Sequence, residues 1–183
     1  MIRSPLLLKA AGGAALALLF ACAAIADEKE QLEVSASKTM SEFSSINVTH
    51  YELTQKAAGV LVFPHITKGG AGVAAEYGEG VLMVGGRSVG FYKLTGGSVG
   101  ATVGIAERSE VVLFMTPEAL QHFIDANVWT VGVDADVAIA AKGAGGAYTS
   151  ESMRKPIIAF AFGEQGFIAD VSLAGSKISR MPV

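Results

Sequence analysis

The residues of this sequence that could carry chemistry are few and lie far apart along the chain. Three histidines, His50, His65 and His122, have no second ligand at metal-binding spacing, so each is expected to be a surface or capping residue. Asp134 and Asp136 share one face of a predicted strand and could hold a cation, but a solvated outer face explains them equally well. The spacing therefore predicts no metal site.

Motifs for covalent catalysis and for nucleotide binding are missing. Ser88, Ser98 and Ser109 are not part of a nucleophile elbow, and the sequence positions no pair of carboxylates for acid and base catalysis. Among the 22 glycines, no Gly-x-x-x-x-Gly-Lys-Ser/Thr loop occurs, and no Gly-x-Gly-x-x-Gly joins a strand to a helix. The sequence predicts a protein that is not an enzyme and that uses no cofactor.

The composition is that of one folded domain. The chain has 183 residues, of which 51% are hydrophobic and 17% charged, so it can bury a core and is not a disordered chain. Its 14 lysines and arginines against 17 aspartates and glutamates give a net charge of -3 at pH 7. Nucleic-acid-binding proteins normally carry a basic excess, so we expect no nucleic-acid partner.

The amino-terminal 26 residues have the pattern of a secretory signal peptide. Arg3 and Lys9 flank the start of an apolar stretch, residues 10–26, which ends in Ala-Ile-Ala before a charged segment. A transmembrane anchor is the alternative, but these 17 residues fall short of the roughly 20 that span a bilayer. We therefore predict a signal peptide over residues 1–26, a single domain over residues 27–183, and an exported, periplasmic protein.

The only cysteine, Cys22, raises a second processing outcome. It follows Leu-Phe-Ala at residues 19–21, which is similar to the lipobox of bacterial lipoproteins, where the cysteine is acylated. The alternative localisation is therefore an outer-membrane lipoprotein anchored through Cys22. After either event the chain has no cysteine pair, so its stability has to come from packing rather than from a disulfide.

Two helices are expected at the amino-terminal end of the domain. Asp27 begins a capping box ahead of apolar residues at helical spacing, and Thr49 begins a second one. The second helix is predicted over residues 50–58, with Gly59 as its left-handed stop. These helices lie before the glycine-rich part of the chain.

From residue 60 onwards the hydrophobic period changes to the alternation of strands. Glycine is frequent there, which predicts a meander of short strands. Alternation is clearest over residues 98–105, where the apolar residues from Val99 to Ile105 are expected to face the core. A second alternating segment, residues 130–141, is expected to point Val133 inward.

One more helix is expected among these strands. Thr116 is a capping residue with Pro117 at the first helical position, and Leu120 and Phe123 form an apolar stripe. Long crossover helices are otherwise missing, so the strands should pair mainly antiparallel. The predicted fold class is α+β: an antiparallel, glycine-rich sheet curled into a sandwich or barrel, with amino-terminal helices and one inserted helix.

Several segments, in the same order, resemble the SYLF domain family. The opening signature is Gly-Val-Leu-Val-Phe-Pro at residues 59–64, with Lys-Gly-Gly at 68–70 and Tyr-Gly-Glu-Gly-Val-Leu at 77–82. Later matching segments are residues 112–120, 131–135, 155–160 and 166–178. The resemblance covers about residues 50–180, which is nearly the whole predicted mature domain.

This resemblance implies a lipid-binding domain without enzymatic activity. Eukaryotic members associate with phosphoinositide membranes, a yeast branch also binds actin, and bacterial members are exported proteins or lipoproteins thought to bind phospholipid. Eukaryotic members use an amphipathic first helix and basic residues, whereas here Glu28, Glu30, Glu33 and Glu42 make that segment acidic. We therefore do not expect electrostatic docking through the first helix. Because the signal peptide predicts export, we also expect no actin partner.

Cations in the glycine-rich region are the candidate lipid contacts. Lys68 lies in the matching signature and Arg87 in an adjoining Gly-Gly-Arg-Ser turn, and both are predicted to contact phospholipid head groups. The expected function is non-enzymatic phospholipid binding at the bacterial cell envelope. The alternative is a structural or scaffolding envelope protein that self-associates through exposed strand edges.

Overall fold

The computed structural model describes residues 9–134, 137–140, 154–163, 166–167 and 175–182. Within these ranges, three helices and seven strands follow one another along the chain. They are α1 (Lys9–Ser45), α2 (Val48–Lys56), β1 (Gly59–Val84), β2 (Arg87–Phe114), α3 (Pro117–Asp125), β3 (Val128–Thr130), β4 (Val137–Ala140), β5 (Ile157–Gly163), β6 (Gly166–Phe167) and β7 (Lys177–Arg180). No helix among the described residues is both long and apolar enough to cross a membrane.

The first helix begins earlier than the capping pattern predicts. α1 starts at Lys9 and passes through Asp27, so the predicted start at Asp27 is wrong. The preceding segment is rich in alanine and leucine, which are strong helix formers, and the helix continues through it. Asp27 instead accepts a hydrogen bond from the Gln31 side chain one turn later, at 2.9 Å.

The second helix is capped by Asn47, which the sequence analysis did not identify as a cap. The side chain of Asn47 accepts a hydrogen bond from the His50 backbone N–H, so α2 begins at Val48, and the predicted cap at Thr49 is wrong. The predicted stop at Gly59 is also wrong, because Gly59 is the first residue of β1. A Cβ at that position would lie 2.7 Å from the Leu120 side chain.

The predicted meander of short strands is wrong, because β1 and β2 form one long antiparallel hairpin. Its register runs from Gly59 opposite Phe114 to Val84 opposite Arg87. The turn is Gly85-Gly86, and both glycines have a positive φ, as tight hairpin turns require. The other glycines of residues 59–114 lie within the two strands, where they permit bulges and close contacts instead of turns.

The remaining strands pair onto this hairpin and complete the sheet. β7 and β5 pair with different parts of β2, β3 pairs with β7, and β4 and β6 pair with β5. The pairings are antiparallel except that of β4 with β5, which is parallel. The predicted α+β class with a curled sheet and an inserted helix is confirmed.

The inserted helix is confirmed in detail. α3 spans Pro117–Asp125, and the Thr116 side chain accepts a hydrogen bond from the Ala119 backbone N–H at 3.2 Å. Leu120 and Phe123 are its buried residues, as the apolar stripe predicted.

Both faces of the sheet are covered by apolar cores. The α3-side core lies beneath α3 and includes Leu61, Phe63, Val112, Phe114, Phe123 and Trp129. The α1-side core lies beneath α1 and α2 and includes Phe43, Leu53, Val62, Leu113 and Phe160. Neighbouring residues of β1 and β2 alternate between the two cores, as the pleat of a strand requires.

The segment predicted as one alternating strand over residues 130–141 is interrupted by a turn. β3 ends at Thr130, whose backbone N–H donates to the Asp134 carboxylate, and β4 begins at Val137. Val133 lies in this turn with 76% of its surface exposed, so its predicted inward position is wrong. Asp134 is exposed, while Asp136 lies outside the described residues.

Candidate functional site

A bend divides the long hairpin near its middle. Between Ala71 and Val73 the pairing register shifts, with one extra residue in β1 and three in β2. Gly72 and Gly104 have positive φ values of 80° and 125°. A Cβ at Gly70 would lie only 2.0 Å from the Val73 carbonyl oxygen, so this fold of the backbone requires glycine. We call residues 69–74 and 97–105 the hairpin bend.

Two large apolar side chains are exposed at the hairpin bend. Val73 is 65% exposed and Ile105 is 80% exposed. The alternating pattern predicted that Ile105 faces the core, and this prediction is wrong. The left-handed backbone at Gly104 and the neighbouring register shift change the direction of the strand, and Ile105 lies over Gly69, which has no side chain to cover it.

The two predicted head-group contacts lie in different parts of the hairpin. Lys68 is half-buried and lies opposite Ala106, directly beside the hairpin bend. Arg87 is exposed and lies opposite Val84, beside the Gly85-Gly86 turn. From Lys68 to Val84 is sixteen residues of β1, a path of about 50 Å at the usual rise of a strand. The structure does not bring the two cations together along the hairpin.

The predicted lipidation residue, Cys22, lies within α1. Further along this helix, the Lys29 ammonium donates to the Pro182 carbonyl at 3.2 Å and lies over the Phe91 ring. Leu32, Ala36, Met40 and Phe43 then pack on the sheet as part of the α1-side core.

A buried charged cluster, formed by Glu76, Arg108, Glu110 and Ser176, lies on the α3-side face of the hairpin. Arg108, Glu110 and Val112 alternate along β2, so the two charged residues share a face with the apolar core. Glu76 and Arg108 are each 8% exposed, Ser176 is 4% exposed and Glu110 is fully buried. Sequence reasoning missed this cluster.

Glu76 has a partner for each of its carboxylate oxygens. Arg108 Nη1 donates to Glu76 Oε2 at 3.1 Å, and Ser176 Oγ donates to Glu76 Oε1 at 2.7 Å. A Cβ at Gly96, which lies opposite Glu76, would be 2.6 Å from Oε1 and 2.9 Å from Ser176 Oγ. The glycine at position 96 therefore leaves the space in which these hydrogen bonds form, and it is a sequence feature that could have indicated the cluster.

The other half of the cluster has unfilled hydrogen-bonding positions. Arg108 Nε and Nη2, and both carboxylate oxygens of Glu110, are buried without a hydrogen-bond partner. Glu110 Oε2 lies 3.8 Å from Arg108 Nη2, which is an ion-pair distance and is too long for a hydrogen bond. Burial raises the pKa of Glu110 to about 8, although Arg108 acts in the opposite direction.

His50 is the histidine whose predicted location is wrong. It was expected at the surface or in a cap, but its side chain is fully buried in the contact between α1, α2 and the sheet. Its ring stacks on Phe43 at 4.5 Å, and Nδ1 lies 3.3 Å from the Phe43 carbonyl oxygen. Burial lowers the pKa of His50. Within the described part of the chain, no group of three or more His, Cys, Asp or Glu side chains is arranged to hold a metal.

One family model matches part of the chain, and the match is consistent with a lipid-binding or scaffolding domain. Residues 95–182 match the model of the family described as Ysc84, Las17-binding protein actin regulator. This match supports the SYLF domain family and confirms the resemblance that the motifs predicted. The match includes the second half of the hairpin bend, Arg108, Glu110 and Ser176, whereas the opening signature at residues 59–64 precedes it. No curated protein matches the chain.

Proposed function

We propose that the protein binds phospholipid without catalysing a reaction, and that the hairpin bend is the part that contacts the membrane. The SYLF domain family is associated with lipid binding. The observation that carries the proposal is the exposure of Val73 and Ile105 on a glycine-rich bend of the backbone. Exposed apolar groups at such a bend are well placed to enter the acyl boundary of a bilayer.

The apolar contribution of this contact is modest. Fully burying a valine or isoleucine side chain is worth about 1.5 to 3 kcal/mol. Val73 and Ile105 begin 65% and 80% exposed, so inserting both contributes about 2 to 4 kcal/mol. Alone, this free energy supports a weak and reversible association. A second attachment, either electrostatic or covalent, is needed for stable binding.

Lys68 supplies the electrostatic part of the proposed contact. A lysine near an anionic membrane surface contributes about 1 kcal/mol, which salt weakens. Its position beside the hairpin bend allows its ammonium to remain at the head groups while Ile105 enters the bilayer. Arg87 can contact head groups only as part of a second patch, because it lies at the start of β2, beside the Gly85-Gly86 turn.

The proposed location is the bacterial cell envelope. Cleavage after Ala26 would release a periplasmic protein, and acylation of Cys22 would supply the covalent attachment of an outer-membrane lipoprotein. Either event leaves Lys29 and Phe43 in the chain, so the described contacts of α1 with the sheet would be kept. Mass spectrometry of the protein from its native host distinguishes these outcomes, because acyl chains add a defined mass to Cys22. The family description names an actin regulator, and we do not extend that partner to an exported chain.

Co-flotation with vesicles tests the proposed function. Purified protein is mixed with phosphatidylcholine vesicles or with phosphatidylglycerol-containing vesicles, at low and at high salt. We expect more protein to float with the anionic vesicles and part of this binding to survive high salt through the apolar contact. Folded protein that floats with neither kind of vesicle would overturn the proposal.

A scaffolding function is the second candidate, and one observation favours it. Among the described strands, β1 pairs only with β2, so a strand of 26 residues has a second edge that a further copy of the chain could use. Sedimentation over a range of concentrations tests this. Growth in size with concentration and no effect of vesicles would favour the scaffold over the lipid-binding protein.

A further inference from the structure

The ion pair between Glu76 and Arg108 joins the two halves of the bent hairpin. Glu76 lies opposite Gly96, on the half that leads to the tight turn, whereas Arg108 lies opposite Ile66, on the half that leads to α3. The two charged residues are 32 positions apart in the sequence, and the bend brings Arg108 Nη1 to 3.1 Å from Glu76 Oε2. This buried contact therefore connects one half of the hairpin to the other beside the hairpin bend.

Two further contacts between the halves lie further from the bend. A Cβ at Gly78 would lie 2.9 Å from the His65 carbonyl oxygen, and a Cβ at Gly80 would lie 2.7 Å from the Val62 carbonyl oxygen. These two glycines allow the backbones of the two halves to pack directly on each other. Of these contacts, the buried ion pair lies nearest to the hairpin bend, so it is the one that restrains the bend itself.

Arg108 has a second carboxylate close to it, on its own half of the hairpin. Its Nη2 lies 3.8 Å from Glu110 Oε2, and Arg108 Nε and Nη2 and both oxygens of Glu110 are buried without a hydrogen-bond partner. Two neighbouring N–H groups of an arginine form a bidentate pair with a carboxylate when the N–O distances are about 2.7 to 2.9 Å. A shift of the guanidinium by about 1 Å towards Glu110 would therefore satisfy all four atoms, with no further ligand.

We infer that Arg108 exchanges between Glu76 and Glu110, and that this exchange releases the hairpin bend from its restraint. When Arg108 turns towards Glu110, its hydrogen bond to Glu76, which is 3.1 Å long, is stretched beyond hydrogen-bonding distance. Glu76 keeps the hydrogen bond from Ser176, but the ion pair between the two halves is broken. The halves stay packed at the two glycines, so the segment that is released is the hairpin bend.

The protonation of Glu110 decides between the two arrangements. Burial raises its pKa to about 8, so the carboxyl is mainly neutral at pH 7 and Arg108 pairs with Glu76. Above about pH 8 the ionised carboxylate attracts Arg108 through both of its oxygens. Among the described residues, the charged groups that act on Glu110 are Arg108 on its own strand and Glu76 on β1. Its cross-strand neighbours, Phe63 of β1 and Ala161 of β5, are apolar.

The hairpin bend carries Val73 and Ile105, the two exposed side chains of the proposed membrane contact. A restrained bend presents these side chains in one arrangement, and a released bend does not. The exchange itself requires no membrane. Only its consequence for lipid binding rests on the proposed function.

Nuclear magnetic resonance of the folded protein between pH 6 and pH 9.5, without vesicles, tests the exchange. Three signals report on it: the carboxyl carbon of Glu110, the guanidinium carbon Cζ of Arg108 and the δ1 methyl group of Ile105. Glu110→Gln removes the titrating carboxyl and should fold, because the amide replaces a carboxyl that is already mainly neutral at pH 7. Glu107→Gln is the matched control, because Glu107 is an exposed glutamate of the same strand.

In the wild type and in Glu107→Gln we expect the three signals to shift together, with one midpoint near pH 8. In Glu110→Gln the Arg108 and Ile105 signals should stay constant over this range. The inference is overturned if Arg108 Cζ does not shift in the wild type, if it shifts equally in Glu110→Gln, or if it shifts while Ile105 does not. Co-flotation with vesicles is a separate measurement, so its failure would refute the proposed function and leave the exchange intact.

Discussion

Glu76 and Gly96 face each other across the long hairpin, and the Glu76 carboxylate occupies the space that a side chain at position 96 would need. A Cβ there would lie 2.6 Å from Oε1 and 2.8 Å from Cγ of Glu76. The carboxylate cannot simply move away, because Arg108 and Ser176 hold it on both oxygens. The buried charged cluster therefore requires a residue without a side chain at position 96.

The first prediction is that Gly96→Ala destabilises the fold. The methyl group would break the Ser176–Glu76 hydrogen bond or displace the ion pair, at a cost of about 1 to 3 kcal/mol in the free energy of unfolding. Gly97→Ala is the matched control, because a Cβ at that position meets only the Ala74 carbonyl oxygen, at 3.6 Å. Urea unfolding of both variants measures the difference. Equal stability of the two variants would contradict this account of Gly96.

The second prediction concerns Glu110 and alkaline pH. The pKa of this carboxyl is raised from 4.5 to about 8 in the folded protein, so the folded state holds a proton that the unfolded state releases. The stability that Glu110 contributes is therefore fully present below about pH 4.5 and is lost as the pH rises towards 8, by at most about 1.4 kcal/mol per pH unit. Glu110→Gln removes this loss, so its advantage over the wild type should grow between pH 5 and pH 8. A constant difference in urea unfolding over this range would refute the prediction.

The third prediction has the opposite sign and concerns His50. Burial lowers its pKa below 6.5 in the folded protein, so the unfolded state takes up a proton first as the pH falls. The stability that His50 contributes is present above about pH 6.5 and is lost as the pH falls below this value. His50→Phe should flatten this acid loss, whereas the exposed His122→Gln should not. The measurement is the free energy of unfolding at pH 7, 6 and 5, and identical slopes in the two variants would contradict it.

The contrast between α3 and the charged cluster shows what the sequence could predict. α3 was predictable because Thr116, Pro117 and the stripe of Leu120 and Phe123 lie within a few residues of one another. The cluster was not, because Glu76 is separated from Arg108 by 32 residues and from Ser176 by 100. Local spacing contains no information about such pairs.

Alternation along a strand has a related limit. It correctly indicated strands around Ile105, but a period of two does not say which face of the strand is covered. The register shift at the hairpin bend leaves Ile105 exposed instead of buried.

The capping pattern at Asp27 failed to predict the start of the helix for a different reason. A capping pattern indicates a helix start only when the preceding residues are not themselves helical, and here α1 continues through them.

The fourth prediction separates the two cations chosen from the sequence. Lys68→Gln should weaken binding to anionic vesicles at low salt by about fivefold, which corresponds to about 1 kcal/mol, and should have little effect at high salt. Arg87→Gln is the comparison, because it removes an equal charge far along the hairpin, at the start of β2. Co-flotation measures both variants. An equal or larger loss in Arg87→Gln would move the electrostatic contact away from the hairpin bend.

The most direct test of the membrane contact is the fraction of protein that floats with phosphatidylglycerol-containing vesicles at high salt, where the apolar contribution dominates. The variant is Val73→Ser with Ile105→Ser, and the control is Val128→Ser with Val133→Ser, which changes two valines that are 52% and 76% exposed elsewhere. The account predicts that the hairpin-bend variant loses binding by at least about tenfold while the control floats like the wild type. Wild-type flotation of the hairpin-bend variant, or an equal loss in both variants, would contradict the central claim.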